Sequence, residues 1–252
     1  MNTTLPVIDG HAHLSELKDL NREMDEAQRV GVRAIIGVGM DIESNRQTLA
    51  IAEAHPGFVL PAVGYHPWEV REGQIEKNLA FVEAHIDRCV AIGEVGIDYK
   101  VKVRKSLQRE VFGQIVKMSV RYDKALILHC RYSHKRVLTL IREAGVRRAV
   151  FHWYTGPADL VREIVSAGYY VSATPSLRRS PPHQEGIRQA PLERILAETD
   201  CPVIHGDRES RPSDVITTLE EVARIKGIPV GETADVIFQN TLDFYELPPI
   251  DR

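Results

Sequence analysis

The chain alternates short apolar runs with longer segments whose apolar residues recur every three or four positions. An uninterrupted apolar run suits a strand buried on both faces, and the wider spacing suits a helix with one buried face. The first run, Leu5 to Ile8, leads into Asp9-Gly10-His11-Ala12-His13. Leu17, Leu20, Met24 and Ala27 then mark a helix running to Val30, with Ser15 as its expected N-cap. Strand and helix alternate onward: 33–39 and 43–55, 58–64 and 74–87, 89–96 and 107–122, 125–129 and 133–144, 148–152 and 158–167. A seventh strand over 169–173 precedes a loop rich in Arg, Ser and Pro and a short helix, and an eighth over 194–200 precedes two helices, 213–226 and 233–245. Eight units predict an α/β chain folded as a (β/α)8 TIM barrel with all strands parallel and an extra C-terminal helix. No linker or low-complexity tract interrupts the pattern, so residues 1–252 read as a single barrel domain.

Composition narrows the functional classes. Net charge is −3, with 43% hydrophobic and 27% charged residues, which gives no global attraction to polyanions and leaves nucleic-acid binding to a local patch. No apolar run approaches the ~20 residues that span a bilayer, so no membrane partner is expected. Met1-Asn2-Thr3-Thr4 lacks the basic-then-apolar form of a secretion signal. Cys89, Cys130 and Cys201 are odd in number and widely spaced, as for reduced thiols in a cytoplasmic protein. Strand alternation turns Cys130 and Cys201 away from their polar neighbours, as packing residues.

The titratable residues fall at one end of the predicted barrel. His11 and His13 end the first strand, Glu94 lies near the end of the fourth, His129 ends the fifth, His152 the sixth and Asp200 the eighth. Those ends share the rim on which barrel enzymes carry their active sites. Singly, each has an ordinary reading: a hydrogen-bonded core histidine, half of a buried ion pair at Glu94, a turn residue at Asp200. Together they read as a metal site, because a carboxylate or imidazole in a buried apolar run is costly without compensation. Six nitrogen and oxygen ligands exceed one tetrahedral zinc and suit two divalent ions, Zn, Mg or Mn, with Glu94 as the bridging carboxylate. Two ions ~3.5–4 Å apart can activate a water and hold the attacking and leaving oxygens of a phosphoryl displacement. Period two also puts Asp9 on the face of His11 and His13, as a partner that orients them from behind.

Several ordered motifs carry a family resemblance. Asp9-Gly10-His11-Ala12-His13-Leu14, Gly93-Glu94-Val95-Gly96-Ile97-Asp98-Tyr99, Gln108-Arg109-Glu110-Val111-Phe112, His129-Cys130-Arg131, His152-Trp153-Tyr154-Thr155-Gly156, Glu198-Thr199-Asp200-Cys201-Pro202 and Gln239-Asn240-Thr241 resemble those of the TatD family. These are metal-dependent hydrolases of the amidohydrolase-like barrel group, many described as deoxyribonucleases. The resemblance implies that His11 and His13 serve the first metal, His129 and His152 the second, and Glu94 both. It implies that Asp200 is a ligand that also takes a proton from the attacking water, so that Asp200 and Glu94 are the catalytic pair, and that His66 faces substrate. The chain departs from the family pattern at Tyr132, at Trp153-Tyr154 and in the loop His205 to Pro212, all near substrate rather than ligands.

Basic residues cluster in the loops of the same rim: Lys100, Lys102, Arg104 and Lys105, then Arg131, His134, Lys135 and Arg136, then Arg178 and Arg179, then Arg208 and Arg211. Helix N-termini disfavour cations, so this placement suggests a phosphate-bearing substrate, with Arg131, Arg178 and Arg179 as binding residues. Tyr65, Trp68, Trp153 and Tyr154 offer stacking faces for bases. The expected activity is a metal-dependent phosphodiesterase acting on DNA or RNA ends. An amide or ester hydrolase with the same site and a non-catalytic metal-binding interaction protein are the alternatives, and a solvated basic fringe is the plain reading of the rim.

Overall fold

The computed structural model describes residues 5–251, so the N-terminal tetrapeptide read for a secretion signal lies outside the described residues. Eight parallel strands follow one another around a sheet in chain order: β1 (Val7–Ala12), β2 (Val32–Val38), β3 (Val59–Val63), β4 (Ala91–Asp98), β5 (Ala125–Arg131), β6 (Ala149–Phe151), β7 (Tyr170–Ala173) and β8 (Ile195–Ala197). Eight helices cover the outside: α1 (Leu20–Val30), α2 (Ile42–Ala54), α3 (Ile75–His85), α4 (Lys105–Tyr122), α5 (His134–Glu143), α6 (Leu160–Ser166), α7 (Pro181–Gln189) and α8 (Val215–Lys226). A ninth, α9 (Val230–Tyr245), is the extra C-terminal helix. A two-stranded hairpin, β9 (Ile204–His205) and β10 (Arg208–Glu209), stands in the loop after β8. No described helix is long and apolar enough to cross a membrane.

The apolar residues divide into two layers by strand alternation. Val59, Leu126, Leu128, Phe151, Val171 and Ile195 pack outward against the helices. Ala34, Ile36, Val38, Ala62, Ala125, Ile127, Val150 and Leu196 fill the barrel interior, and Phe238, Phe244 and Tyr245 of α9 join them. Phe244 meets Tyr170 edge-on at 5.2 Å, and the Tyr245 hydroxyl donates to the Gly10 carbonyl at 2.8 Å. The extra helix therefore seals the end of the barrel core opposite the polar rim.

Closure occurs next to that rim. Beyond β8 the Asp200 amide donates to the His11 carbonyl at 3.0 Å, and the His13 amide donates to the Cys201 carbonyl at 2.8 Å. Gly10 allows the close approach, since a Cβ there would stand 2.9 Å from the Ala197 carbonyl oxygen. The eighth strand is shorter than the sequence predicts, ending at Ala197, because the chain turns inward to make this seam; Asp200 reaches φ 54°, the left-handed region. The first helix also begins later than expected. Ser15 lies in a single 3-10 turn, and Asp19 caps α1 by accepting the Arg22 amide, since a carboxylate there satisfies a free helical N–H.

Deleting the α9 plug should cost what a buried aromatic normally costs. Phe244→Ala should lower urea-unfolding stability by roughly 3–5 kcal/mol, and Tyr245→Phe by about 1 kcal/mol. A Phe244→Ala loss below ~1 kcal/mol would mean that α9 is not part of the barrel core.

Candidate metal centre

The residues of the polar rim reach the barrel mouth by two routes. His66, His129 and His152 follow inward alternation: Ala62 before His66, Ala125 and Ile127 before His129, and Val150 before His152 belong to the interior layer. His11, His13 and Glu94 would face outward by the same count. Each of their strands carries one extra residue. In β1 the register slips between Asp9, opposite Ile35, and Ala12, opposite Gly37; in β4 it slips between Ile92, opposite Leu126, and Val95, opposite Leu128. Such bulges re-aim the side chains that follow. Both fall at a glycine, Gly10 and Gly93, where a strand is most easily kinked.

Glu94 is the centre of the resulting cluster. Its Oε2 lies 3.4 Å from His11 Nε2 and 3.3 Å from His13 Nε2. Its Oε1 lies 2.7 Å from His129 Nδ1, 3.0 Å from His152 Nε2 and 3.3 Å from His66 Nε2. Asp200 Oδ1 stands 3.4 Å from both His11 Nε2 and His13 Nε2, which are themselves 3.2 Å apart. All the site carboxylates and imidazoles are buried except His129, which is partly exposed.

The outer hydrogen bonds fix which ring nitrogens point inward. His13 Nδ1–H donates to the Val38 carbonyl at 3.2 Å, His152 Nδ1–H to Glu198 Oε1 at 3.1 Å, and His129 Nε2–H to Asp98 Oδ2 at 3.1 Å. Each leaves an inward lone pair, the arrangement in which imidazoles hold metals. His66 differs. Its Nδ1 accepts the Trp68 amide at 3.2 Å, so the neutral ring presents Nε2–H to Glu94, as a donor. The six residues with free inward donor atoms are therefore His11, His13, Glu94, His129, His152 and Asp200. This nitrogen and oxygen set fits hard or borderline divalent ions.

The electrostatics agree with a site built for cations. Burial alone would raise the Glu94 carboxyl, but the facing imidazoles of His152, His66, His11 and His129 hold it well below the usual carboxylate range. Asp200 is likewise held low against its burial by His13, His152 and His11. Burial alone would lower His13, but hydrogen bonds to Asp200 and Glu94 lift it to about 10. His129 and His152 are also raised against burial, by Asp98 with Glu94 and by Glu94 with Glu198 respectively. His66 is pushed down to about 4 by burial and stays neutral.

Some expected residues act elsewhere. Asp9 does not hydrogen-bond either imidazole ring. Its oxygens accept the Thr199 amide at 2.8 Å and the Thr199 hydroxyl at 2.6 Å, because the β1 bulge separates its face from that of His11. It braces the seam that carries Asp200. Tyr65 and Tyr154 are not stacking faces: both rings are buried, with hydroxyls bonded to the Arg71 amide and the Pro157 carbonyl. Much of the basic fringe is neutralised internally. Lys135 pairs with Glu163 at 2.5 Å, Arg104 with Glu72, and Arg178 with Glu221 at 3.2 Å. Arg131 does line the cavity over the cluster, with His66, Trp68 and Trp153. Cys130 packs on the outer core but also reaches that cavity wall, and burial pushes its thiol up, so it stays protonated. Alternation alone would have turned it fully away.

Asp98 and Glu198 are the residues of the cluster that ligand-type reasoning passed over. Asp98 binds both His129 and the Trp68 indole N–H, at 3.1 and 2.7 Å. Glu198 holds His152 and the Trp153 amide. A signal existed for Glu198, which follows Leu196 by two positions and so faces inward.

Comparison with known proteins places this architecture. The family model described as TatD related DNase matches residues 8–246. The human protein named deoxyribonuclease TATDN3 is 30% identical over 258 residues, covering 95% of this chain and 94% of its own. The protein of Edwardsiella piscicida named 3'-5' ssDNA/RNA exonuclease TatD is 29% identical over 74% of each chain. The crystal structure of the TatD homologue YJJV from Escherichia coli superposes with a TM-score of 0.87, at 24% identity, over 98% of this chain and 100% of that one. The matched span contains every side chain of the cluster described above, and the chain belongs to the TatD-related DNase family of metal-dependent hydrolases.

Proposed function

We propose that the protein is a two-metal phosphodiesterase that cleaves single-stranded nucleic acid ends. The observation that carries this reading is the division of Glu94, with Oε2 turned to His11 and His13 and Oε1 turned to His129 and His152. In this reading His11, His13, Asp200 and Glu94 would hold one divalent ion, and His129, His152 and Glu94 would hold the other. Zn, Mg or Mn there would supply Lewis acidity, lowering the pKa of a water and neutralising charge on a phosphodiester. The names of the relatives support nucleic acid as the substrate: a deoxyribonuclease and an exonuclease on single-stranded DNA and RNA.

The chain's own groups divide the remaining work. Asp200 is ionised at neutral pH and takes the proton of the attacking water as the nucleophile forms. His66, neutral and oriented by the Trp68 amide, lines the cavity and would turn its Nε2–H from Glu94 to a non-bridging phosphoryl oxygen when substrate binds. Arg131, on the cavity wall and exposed, meets a further phosphate. Asp98 and Glu198 keep the tautomers of His129 and His152 fixed, so that neither ring must reorient during turnover. Three free thiols fit a cytoplasmic setting.

Two experiments test this reading. Hydrolysis of labelled single-stranded DNA should stop with EDTA and return with Mg, Mn or Zn, and Asp200→Asn or Glu94→Ala should lower kcat by roughly 10²–10⁴. Cleavage indifferent to both substitutions would refute the site, and activity confined to an ester or amide panel would refute the substrate class. The second concerns the metal-free protein. The folded-state value of His13 is about 10, above its ordinary 6.5, so its stabilisation is full below 6.5 and is lost as pH rises through 10. Metal-free protein should therefore become easier to unfold in urea between pH 6.5 and 10, by a few kcal/mol at ~1.4 kcal/mol per unit, and His13→Gln should flatten the decline. Stability that holds level or rises across that window would contradict the protonated imidazole cluster.

A further inference from the structure

A second cavity, of about 270 Å³, adjoins the one of about 500 Å³ over the cluster. The two share Trp153, Ser176 and Ser180 as a common wall. The second opens beneath the β9–β10 hairpin and is bounded by Arg179, His205 and Arg208.

Trp153 is held firmly in that wall. It sits in the left-handed region at φ 40°, and its amide donates to Ser172 Oγ at 2.8 Å and Glu198 Oε1 at 2.9 Å. Its ring meets His205 edge-on at 5.1 Å, and His205 is anchored by donating to the Thr199 carbonyl at 2.9 Å. The carboxylate that orients His152 therefore also sets the position of the indole.

The cations of the second cavity are not equivalent. Arg178 is engaged by Glu221 and Arg208 by Asp214, at 3.2 and 2.6 Å. Arg179 has only a 3.8 Å pairing with Asp207 among the described residues, and both side chains are largely exposed. Its guanidinium lies on Gly206, where a Cβ would strike it at 2.0 Å, so the hairpin leaves room for it. A loosely paired guanidinium beside an accessible indole is the chemistry that receives one phosphate and one base.

We infer that Trp153 divides a two-nucleotide groove. The cavity over the cluster receives the terminal nucleotide with its phosphodiester, and the second cavity receives the neighbouring nucleotide, its base on Trp153 and its phosphate at Arg179. This inference rests on the phosphodiesterase reading. It makes the protein selective for unpaired strands over small diesters, because a duplex keeps its bases stacked on each other.

The test compares tetrathymidylate with thymidine p-nitrophenyl phosphate as substrates of the Mn-loaded protein. Arg179→Glu, an exposed change, should raise KM for tetrathymidylate by about tenfold, as losing one base-and-phosphate contact would, and by clearly less for the small ester. Trp153→Ala should do the same, and Arg179→Lys should restore most of the loss. With metal chelated, tetrathymidylate affinity measured by anisotropy should fall by a similar factor in Arg179→Glu, and the salt slope should fall by about 0.7. Equal KM changes on both substrates together with unchanged binding would overturn the second subsite while leaving the phosphodiesterase reading intact. Wild-type protein that binds tetrathymidylate but hydrolyses neither substrate would instead overturn that reading.

Discussion

The constraint on which the site depends is a buried carboxylate. Glu94 lies inside the barrel mouth, nearly excluded from solvent, with five imidazoles on its two oxygens. A lone anion in that position would be expelled or neutralised. Here the surrounding rings keep it ionised, and in the absence of metal the raised His13, His129 and His152 do so by holding protons. Divalent metal held by these residues would replace those protons, so loading would release protons and weaken as pH falls.

That arrangement also explains the scaffold around it. Two strands carry bulges at glycine to turn His11, His13 and Glu94 inward, and the seam between β1 and the segment after β8 delivers Asp200. Asp9 clasps Thr199 across this seam, linking barrel closure to the position of Asp200. The interior below the polar mouth is completed by α9. Stability and chemistry thus occupy opposite ends of one barrel, which lets the mouth tolerate strained residues such as Trp153 and Asp200.

The fold was legible in sequence because its signal is repeated: eight apolar runs alternating with amphipathic segments leave little choice of architecture. The six inward donors were also legible, since each is a titratable residue in or at the end of an apolar run. Simple alternation failed where a strand gained a residue. It put Asp9 on the face of His11, and the bulge at Gly10 moved it to the seam. Ion pairing was likewise invisible: Lys135, Arg104 and Arg178 look like a phosphate rim until Glu163, Glu72 and Glu221, from distant segments, are folded against them. Residue type alone could not separate His66 from the histidines with a free inward lone pair, because the difference lies in which ring nitrogen a backbone amide occupies.

The central claim is that Glu94 is shared between two ions. The most direct measurement is metal stoichiometry by elemental analysis of protein equilibrated with Zn or Mn, paired with anomalous diffraction of the loaded crystals. The account predicts two ions per chain on either side of the Glu94 carboxylate in the wild type, and fewer than two in Glu94→Gln. A single ion in the wild type, or two ions retained with neither touching residue 94, would contradict it.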